Sequence, residues 1–406
     1  MRVLHVIPGI SPRYGGPSQA VFGMCRALGR STDIEPEIAT TDADGPGGRM
    51  PIAEGNPRLH EGILVWMFPR LWSEKWKYSR DLAEWLRGNI RRYDALHVHC
   101  LFCHSTAAAC REAARAGVPV VLRTCGMLAP YSLSRSRWAK SFYWQLIERR
   151  NFDAADCLHA TTPDEQDELS KRFPRKRVEC IPLGVSDEAL ELPPAGAEFR
   201  TRYGIHAKAR LVLFLSRLHR KKGLADLLLP ALARLPGDVV LAVVGHEDGH
   251  DPAYAQECRR AVHTLGLKSR VVFTGPIYGL EKWSAYDAAD VYVLPSRHEN
   301  FGATVVESMA RGTPVVFCSG VQAGRYVAEA GAGLATHYHV SGLADSLREI
   351  LESAPQVRAS MGHRGREYVG RNLSWAHAAR SLATLYRELV SPKCLPTEPA
   401  AQVARA

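Results

Sequence analysis

The chain alternates short apolar, β-branched runs with longer amphipathic segments up to about residue 390. In its first part, the apolar runs predict strands at Val3–Ile7, Ala95–His99, Val118–Arg123, Leu158–Thr161 and Val178–Ile181. Periods near 3.6 residues predict helices at Ser18–Leu28 and Ser105–Ala116. Strands alternating with helices of this length are typical of βαβ units and a mostly parallel sheet.

The pattern breaks at residues 186–208, which contain Pro193-Pro194 and little periodic apolar content, as expected of a linker. A second series of strands is then predicted at Leu211–Leu215, Val239–Val244, Val271–Thr274, Val291–Leu294 and Val315–Phe317. Helices are predicted at Leu224–Arg234, Tyr254–Leu265 and Thr304–Arg311. The chain is therefore predicted to form two doubly wound α/β domains that face each other across a cleft.

The predicted domains cover residues 1–185 and 209–374. A last helix follows at Trp375–Val390, where Ala378, Leu382, Leu385 and Leu389 recur at helical spacing. The tail, 391–406, has no periodicity and is predicted to be disordered. In open parallel sheets, ligands bind outside the carboxyl ends of the strands, so the loops there should line the cleft.

The composition is that of an ordinary globular protein, with 46% hydrophobic and 23% charged residues in a chain of 406. A net charge of +10 favours phosphates, anionic membranes or nucleic acid as partners, without choosing among them. The amino terminus predicts no signal peptide, and no apolar run approaches the length of a membrane span. The ten cysteines show no disulfide spacing, so we expect reduced thiols and a cytoplasmic protein.

One cysteine pattern has a second interpretation. Cys100-Leu101-Phe102-Cys103-His104 has the spacing that attaches c-type haem. Haem attachment normally requires export, and a metal site would need a second ligand pair, which is not found at a suitable spacing. We therefore interpret the segment as the end of a strand, a loop and a helix of small residues.

Chemistry is concentrated in the loop Ser296–Glu307, which follows a strand and begins a helix. Glu299 lies on the loop, Glu307 eight positions later on the helix, and Gly302 between them permits close approach of a ligand. Amides at a helix start suit an anionic or hydroxyl-rich ligand, and carboxylates can bind the vicinal hydroxyls of sugars. The alternative is that these acidic residues only stabilise the helix dipole.

Two further loops suit phosphate. Ser216–Leu224 carries four basic residues and then Gly223 at the end of a strand, which makes a plausible diphosphate clamp or, alternatively, a solvated basic loop. Arg13–Ser18 carries paired glycines at a strand-to-helix turn. That turn lacks the Walker lysine and the complete dinucleotide fingerprint.

In this order, from Val3 to about Leu389, the motifs resemble glycosyltransferase family 4, whose members are retaining enzymes of the GT-B fold. The most specific match is the pair Glu299 and Glu307, with seven residues between them, in which Glu299 begins Glu-Asn-Phe-Gly. The resemblance implies that Glu307 binds the nucleotide ribose and that Arg217 and Lys222 hold the diphosphate. It implies that Glu299 holds the transferring sugar together with the amides of Asn300, Phe301, Gly302 and Ala303. It further implies donor contacts from Gly16, Gly245 and Gly275, and a last helix that crosses back to the first domain.

The reaction implied is transfer of a hexose from a nucleotide sugar with retention, Arg217 and Lys222 stabilising charge on the departing diphosphate. No cofactor is expected. No metal is expected either, because no Asp-x-Asp stands at a strand end and such enzymes generally need none. The chain departs from the family at Cys125, where many relatives have a histidine. His99 at the neighbouring strand end could supply an imidazole instead, or be structural.

Other readings are a nucleotide-binding scaffold, a sugar-nucleotide epimerase or a glycan phosphorylase on the same fold. The expected partners are a nucleotide sugar and a glycan or lipid-linked acceptor of cell-surface polysaccharide synthesis, not nucleic acid.

Two segments that mix cations with aromatics, Arg70–Arg92 and Ser132–Arg150, suggest peripheral docking on the inner face of the membrane. Their aromatics are Trp72, Trp76, Tyr78 and Trp85 in the first, and Trp138, Phe142, Tyr143 and Trp144 in the second. On a helix, Trp138, Phe142 and Gln145 would share a face. The alternative is that the aromatics belong to the core.

Overall fold

The computed structural model describes residues 1–51, 56–72, 74–129, 133, 137–247 and 251–391. The predicted tail lies outside the described residues from position 392 onward, as do parts of the segments 70–92 and 132–150. In the described part of the chain there are two sheets, one in each half.

The first sheet has the order β3-β4-β2-β1-β5-β6-β7-β8 and is parallel except for β3. Its strands are β1 Arg2–Val6, β2 Glu35–Thr41, β3 Arg58–His60, β4 Ile63–Phe68, β5 Ala95–His99, β6 Val120–Arg123, β7 Cys157–Ala160 and β8 Arg177–Cys180. Its helices are α1 Gly16–Ser31, α2 Arg80–Asn89, α3 His104–Ala116, α4 Arg137–Tyr143, α5 Arg149–Ala154 and α6 Pro163–Arg172. A wider helical turn, Trp144–Glu148, joins α4 to α5. These helices and strands form a doubly wound α/β domain.

The second sheet has the order β11-β10-β9-β12-β13-β14 and is parallel throughout. Its strands are β9 Arg210–Leu215, β10 Val239–Val244, β11 Val271–Gly275, β12 Val291–Leu294, β13 Val315–Cys318 and β14 Gly333–Thr336. The helices that follow α6 are α7 Asp187–Glu191, α8 Gly196–Arg202, α9 Leu229–Leu232, α10 Pro252–Thr264, α11 Gly279–Ala288, α12 Ala303–Ala310, α13 Gly324–Ala330, α14 Val340–Glu352, α15 Pro355–Asn372 and α16 Trp375–Val390. The predicted fold class, two parallel α/β domains, is confirmed.

The last helix, α16, packs on α1 of the first domain, as the resemblance implied. Leu382 and Tyr386 of α16 are fully buried in one cluster with Met24 and Leu28 of α1. The Tyr386 hydroxyl also lies 2.7 Å from Nδ1 of His97 on β5. The helix α16 is therefore part of the core of the first domain.

Several elements between the motifs were missed from the sequence. The predicted linker 186–208 contains two of them, α7 and α8, which bury Ala189 and Phe199 in the core. The strand β2 was missed, and Asp42-Ala43-Asp44 follows it directly, so an Asp-x-Asp does stand at a strand end. Asp42 accepts a hydrogen bond from the backbone of Arg70 at 2.7 Å. Asp44 accepts one from the Ser11 hydroxyl at 2.5 Å. Both carboxylates thus take part in contacts within the first domain.

Candidate functional site

The candidate site lies at the carboxyl ends of β9 and β12, where the order of the second sheet reverses. β9 pairs with β10 on one side and with β12 on the other. Loops that follow two such strands leave to opposite faces of the sheet and open a crevice in which ligands bind. The loops Ser216–Leu224 and Ser296–Glu307, singled out from the sequence, follow these two strands.

Lys222 and Glu299, from these two loops, form an ion pair. Nζ of Lys222 lies 2.6 Å from Oε1 of Glu299, and Nζ of Lys221 lies 3.8 Å from Oε2. Burial would raise the pKa of Glu299, but the ammonium groups of Lys222 and Lys221 lower it to about 2. Glu299 is therefore ionised at neutral pH and holds the Lys222 ammonium against the other loop.

Gly223 lets the two loops approach each other this closely. Its φ is +71°, in the left-handed region. A β-carbon there would lie 2.3 Å from the carbonyl oxygen of Pro295, at the end of β12. A glycine is therefore required beside Lys222 for the ion pair to form.

The other basic residues of the first loop do not all face Glu299. Arg220 pairs with Asp251 at 2.8 Å and with Glu257 at 2.7 Å, so its charge is directed to α10 and the residue before it. Arg217 lies two positions after β9 and is partly buried. Of the four cations predicted to hold the diphosphate, Lys221 and Lys222 therefore face Glu299, whereas Arg220 faces Asp251 and Glu257.

Glu307 lies on α12, and two residues that the sequence analysis missed orient its carboxylate. Nζ of Lys282 lies 2.9 Å from Oε1, and the hydroxyl of Tyr286 donates to Oε2 at 2.9 Å. Both belong to α11, and no local pattern in the sequence pointed to them. The Glu307 side chain keeps 15% of its surface exposed, so its carboxylate can still accept a hydrogen bond from a ligand.

The remaining predicted donor-binding residues fall into two groups. Asn300, Phe301 and Gly302 lie in the turn between β12 and α12, and Ala303 is the first residue of α12. Gly275 ends β11, and Gly16 begins α1 in the first domain; neither has a heavy atom within 4 Å of a β-carbon position. Gly245 follows β10 and instead packs on the Ser216 carbonyl, where a β-carbon would lie at 1.9 Å.

On the first domain, His99 belongs to a buried row of histidines. Nε2 of His99 lies 3.1 Å from Nδ1 of His5, and His97 is hydrogen-bonded to His159. Burial lowers the pKa of each of these imidazoles, so they are neutral at neutral pH. His5, His97 and His99 bring ring nitrogens within 4.8 Å of one another, but the positive charge of buried Arg123 beside them opposes a metal ion.

Cys125, which stands in place of the family histidine, lies two residues past β6 at a φ of +52°. The neighbouring Cys100 thiol and the Arg123 guanidinium hold its pKa below the usual value, against the effect of burial. The Cys-x-x-Cys-His segment is the end of β5, a loop and α3, as predicted.

Two family models match the chain. The first, described as a glycosyl transferase 4-like domain, matches residues 15–184. The second, described as glycosyl transferases group 1, matches residues 197–368. Each model covers one of the two α/β domains.

Curated relatives match nearly the whole chain. The D-inositol 3-phosphate glycosyltransferase of Mycolicibacterium smegmatis is 28% identical over 93% of this chain and 87% of its own length. The enzyme of the same name from Xylanimonas cellulosilytica is 29% identical over 92% of both chains.

Solved structures show the same fold. Anabaena HepE in complex with UDP and glucose superposes with a TM-score of 0.74 at 20% identity, over 96% of this chain and 100% of that one. WaaG, a glycosyltransferase involved in lipopolysaccharide biosynthesis, superposes with a TM-score of 0.68 at 15% identity, over 96% and 100% of the two chains.

Two parallel-sheet domains with charged loops at the switch point of the second sheet define a glycosyltransferase of the GT-B fold. The enzyme class predicted from the sequence is thereby confirmed. The protein belongs to glycosyltransferase family 4, whose two domain models together account for most of the chain.

Proposed function

We propose that the enzyme transfers a hexose from a nucleoside-diphosphate sugar to a glycan or lipid-linked saccharide, with retention at the anomeric carbon. The Lys222–Glu299 ion pair carries the proposal, because it holds a buried cation against a carboxylate that can bind hydroxyls, at the switch point of the second sheet. HepE, with the same fold, has been solved with UDP-glucose, which supports a nucleotide sugar as the donor.

Each charged group has a distinct task in this proposal. Glu307 accepts hydrogen bonds from the ribose diol, and Glu299 with the amides from Asn300 to Ala303 holds the hexose. Lys222 and Arg217 stabilise negative charge that develops on the diphosphate as the glycosidic bond breaks. Because these cations are supplied by the chain itself, we propose that no divalent metal is needed.

The stereochemical outcome tests the retaining mechanism. We expect an α-linked nucleotide sugar to give an α-linked product, because the Glu299 and Glu307 pair matches retaining enzymes. A panel of nucleotide sugars, screened by release of nucleoside diphosphate, identifies the donor. Proton NMR of the anomeric signal then gives the linkage of the product. A β-linked product from an α-linked donor would rule out retention.

The acceptor class is a separate part of the proposal. The basic charge and the exposed aromatics described below favour a saccharide carried on an anionic membrane, as in cell-surface polysaccharide synthesis. The acceptor screen should also contain D-inositol 3-phosphate, since curated relatives are named for it.

The structure separates the aromatics of the two mixed segments into core and surface. The Trp76 indole donates a hydrogen bond to the Tyr143 hydroxyl, and Trp85 packs against Trp66, so these half-buried rings are held by contacts within the domain. In contrast, Trp138 is 84% exposed and Phe142 69% exposed.

Leu146 adds to this exposed face at 50% exposure, and the predicted Gln145 beside it in the chain is exposed as well. Arg149 and Arg150 are exposed next to it. In the described residues, no helix is long and apolar enough to cross a membrane. We therefore propose that Trp138, Phe142 and Leu146 dock the first domain onto a membrane surface.

Flotation with liposomes tests the docking face. We expect the protein to float with anionic vesicles at low salt and to lose most of this binding at high salt, since each cation contributes about 1 kcal/mol near an anionic surface. The double variant W138A/F142A should stay at the bottom. The control V357A removes an exposed apolar side chain from α15 and should float like the wild type. Wild-type protein that stays at the bottom with anionic vesicles at low salt contradicts membrane docking and favours a soluble acceptor.

A further inference from the structure

A carboxylate of the first domain reaches the sugar-binding loop of the second. Glu165, in the first turn of α6, is 4% exposed. Its Oε2 accepts a hydrogen bond at 3.3 Å from the side-chain amide of Asn300, which also donates to the Thr161 hydroxyl at 3.2 Å. Asn300 directly follows Glu299, so the contact joins the two domains next to the Lys222–Glu299 pair.

Glu165 is itself held rigidly within the first domain. Its Oε1 accepts from the Thr124 hydroxyl, after β6, at 2.7 Å. Its Oε2 accepts from the backbone N–H and the hydroxyl of Thr161, after β7, at 2.8 Å and 2.9 Å. Within the described residues no lysine or arginine forms an ion pair with it, so hydrogen bonds alone stabilise this buried carboxylate.

The role of Glu165 differs from that of an ordinary helix cap. In a capping box, a glutamate at this position bonds back to the backbone of the N-cap residue, here Thr162. Glu165 instead bonds to Thr161, Thr124 and Asn300, which lie on three separate segments. A cap on α6 would need neither Thr124 nor Asn300.

The chain makes room for this contact on the first domain. Gly126 has a φ of +69°, and a β-carbon there would lie 2.5 Å from the β-carbon of Asn300. Any larger residue would push Asn300 away from Thr161 and Glu165. The glycine thus lets a side chain of one domain insert into the other.

Two further hydrogen bonds, through Gln322, connect the same loop to the first domain. The hydroxyl of Thr162 donates to Oε1 of Gln322 at 2.8 Å, and the backbone N–H of Gln322 donates to the Glu299 carbonyl at 3.3 Å. The Glu299 backbone and the Asn300 side chain are therefore both connected to the amino end of α6, the first through Gln322 and the second directly.

We propose that Glu165 is a positioning residue that holds Asn300, and with it the sugar-binding loop 299–303, when the two domains close. Thr161, Glu165 and Asn300 form what we call the cross-domain latch. The latch makes the first domain complete the donor site of the second, so the hexose is oriented only in the closed enzyme. This inference rests on the proposed role of Glu299 and Asn300 in binding the hexose.

The variant E165Q tests the latch, because it keeps the shape of the side chain and removes its charge. We expect kcat to fall about tenfold, the scale of one lost hydrogen bond to a charged group. The affinity for nucleoside diphosphate should not change, since Lys222 and Glu307 do not touch the latch. The matched control is E168Q, the same substitution at an exposed position one turn along α6, which should behave as the wild type.

A swap of the two partners separates positioning from helix capping. In E165Q/N300D the amide and the carboxylate exchange places, and the hydrogen bond across the domains can re-form. We expect kcat of this double variant to exceed that of E165Q. Turnover of E165Q equal to that of E168Q, or a double variant no better than E165Q, overturns the latch.

Amide hydrogen exchange gives a readout that does not depend on turnover. We expect residues 299–303 to exchange faster in E165Q than in E168Q without any ligand, because the hydrogen bond from Asn300 to this side chain is weakened when its charge is removed. Equal exchange in the two variants overturns the latch even if the enzyme is active. An enzyme that binds no nucleotide sugar while exchange responds to E165Q contradicts the proposed function and leaves the latch supported.

Discussion

Replacing Lys222 with alanine should lower kcat by about two to three powers of ten, the scale for removing one preorganised group that stabilises developing charge. Lys222 is nearly buried, and its ammonium lies 2.6 Å from Glu299, so it is held in position before the substrate arrives. We expect the same scale for Arg217→Ala. The measurement is steady-state release of nucleoside diphosphate with saturating donor and acceptor.

The matched control for Lys222 is Arg220→Ala, two positions earlier in the same loop. Because Arg220 pairs with Asp251 and Glu257, its removal should leave kcat close to that of the wild type. A chelator should leave the wild type active. Wild-type turnover in Lys222→Ala would contradict its role at the diphosphate, and strict dependence on a divalent metal would contradict the proposed charge stabilisation.

Replacing Glu307 with alanine should weaken binding of nucleoside diphosphate by about 1–3 kcal/mol, the range for lost hydrogen bonds to a charged group. The carboxylate is oriented by Lys282 and Tyr286, so it can accept both hydroxyls of a ribose without a loss of side-chain freedom. Isothermal titration with the nucleoside diphosphate of the identified donor measures the effect.

The control for Glu307 is Glu329→Ala. Glu329 likewise bonds to a tyrosine hydroxyl, that of Tyr368, and to a cation, that of Arg325, but lies on α13. Both substitutions leave a tyrosine hydroxyl without its carboxylate, so thermal unfolding of the two variants shows the cost to stability. If the affinity for nucleoside diphosphate is unchanged in Glu307→Ala, the ribose assignment is wrong.

The elements predicted most accurately are those in which the pattern of apolar residues along the sequence matches the residues that the fold buries. β5, β10, β12 and α16 have the predicted first and last residues. The strands among them are buried inside a parallel sheet, β10 and β12 as apolar runs and β5 with two histidines, and α16 has one apolar face against α1. For these elements the bounds can therefore be predicted from the sequence alone, without knowledge of the tertiary contacts.

The elements missed depend on distant parts of the chain. β2 begins with Glu35, Pro36 and Glu37, which do not predict a strand; it forms between β1 and β4, where Trp66 and Arg2 bind the Glu37 carboxylate. The wrong statement about Asp-x-Asp followed from this omission. Likewise, in the predicted linker Arg311 donates to the carbonyls of Ala189 and Leu192 in and after α7, and α8 buries Phe199 in the core.

The sequence by itself determined the α/β class, the two domains in parallel-sheet form and the loops that carry the charged residues. Each of these follows from periodicity, glycine positions and residue types within a short stretch of chain. The tertiary structure alone decided which charges meet. Lys222 and Glu299 are brought together because β9 and β12 are neighbours in the sheet, although β10 and β11 lie between them in the chain. Asn300 reaches Glu165, 135 residues away, only across the interface of two separately folded sheets, and no local pattern encodes such an approach.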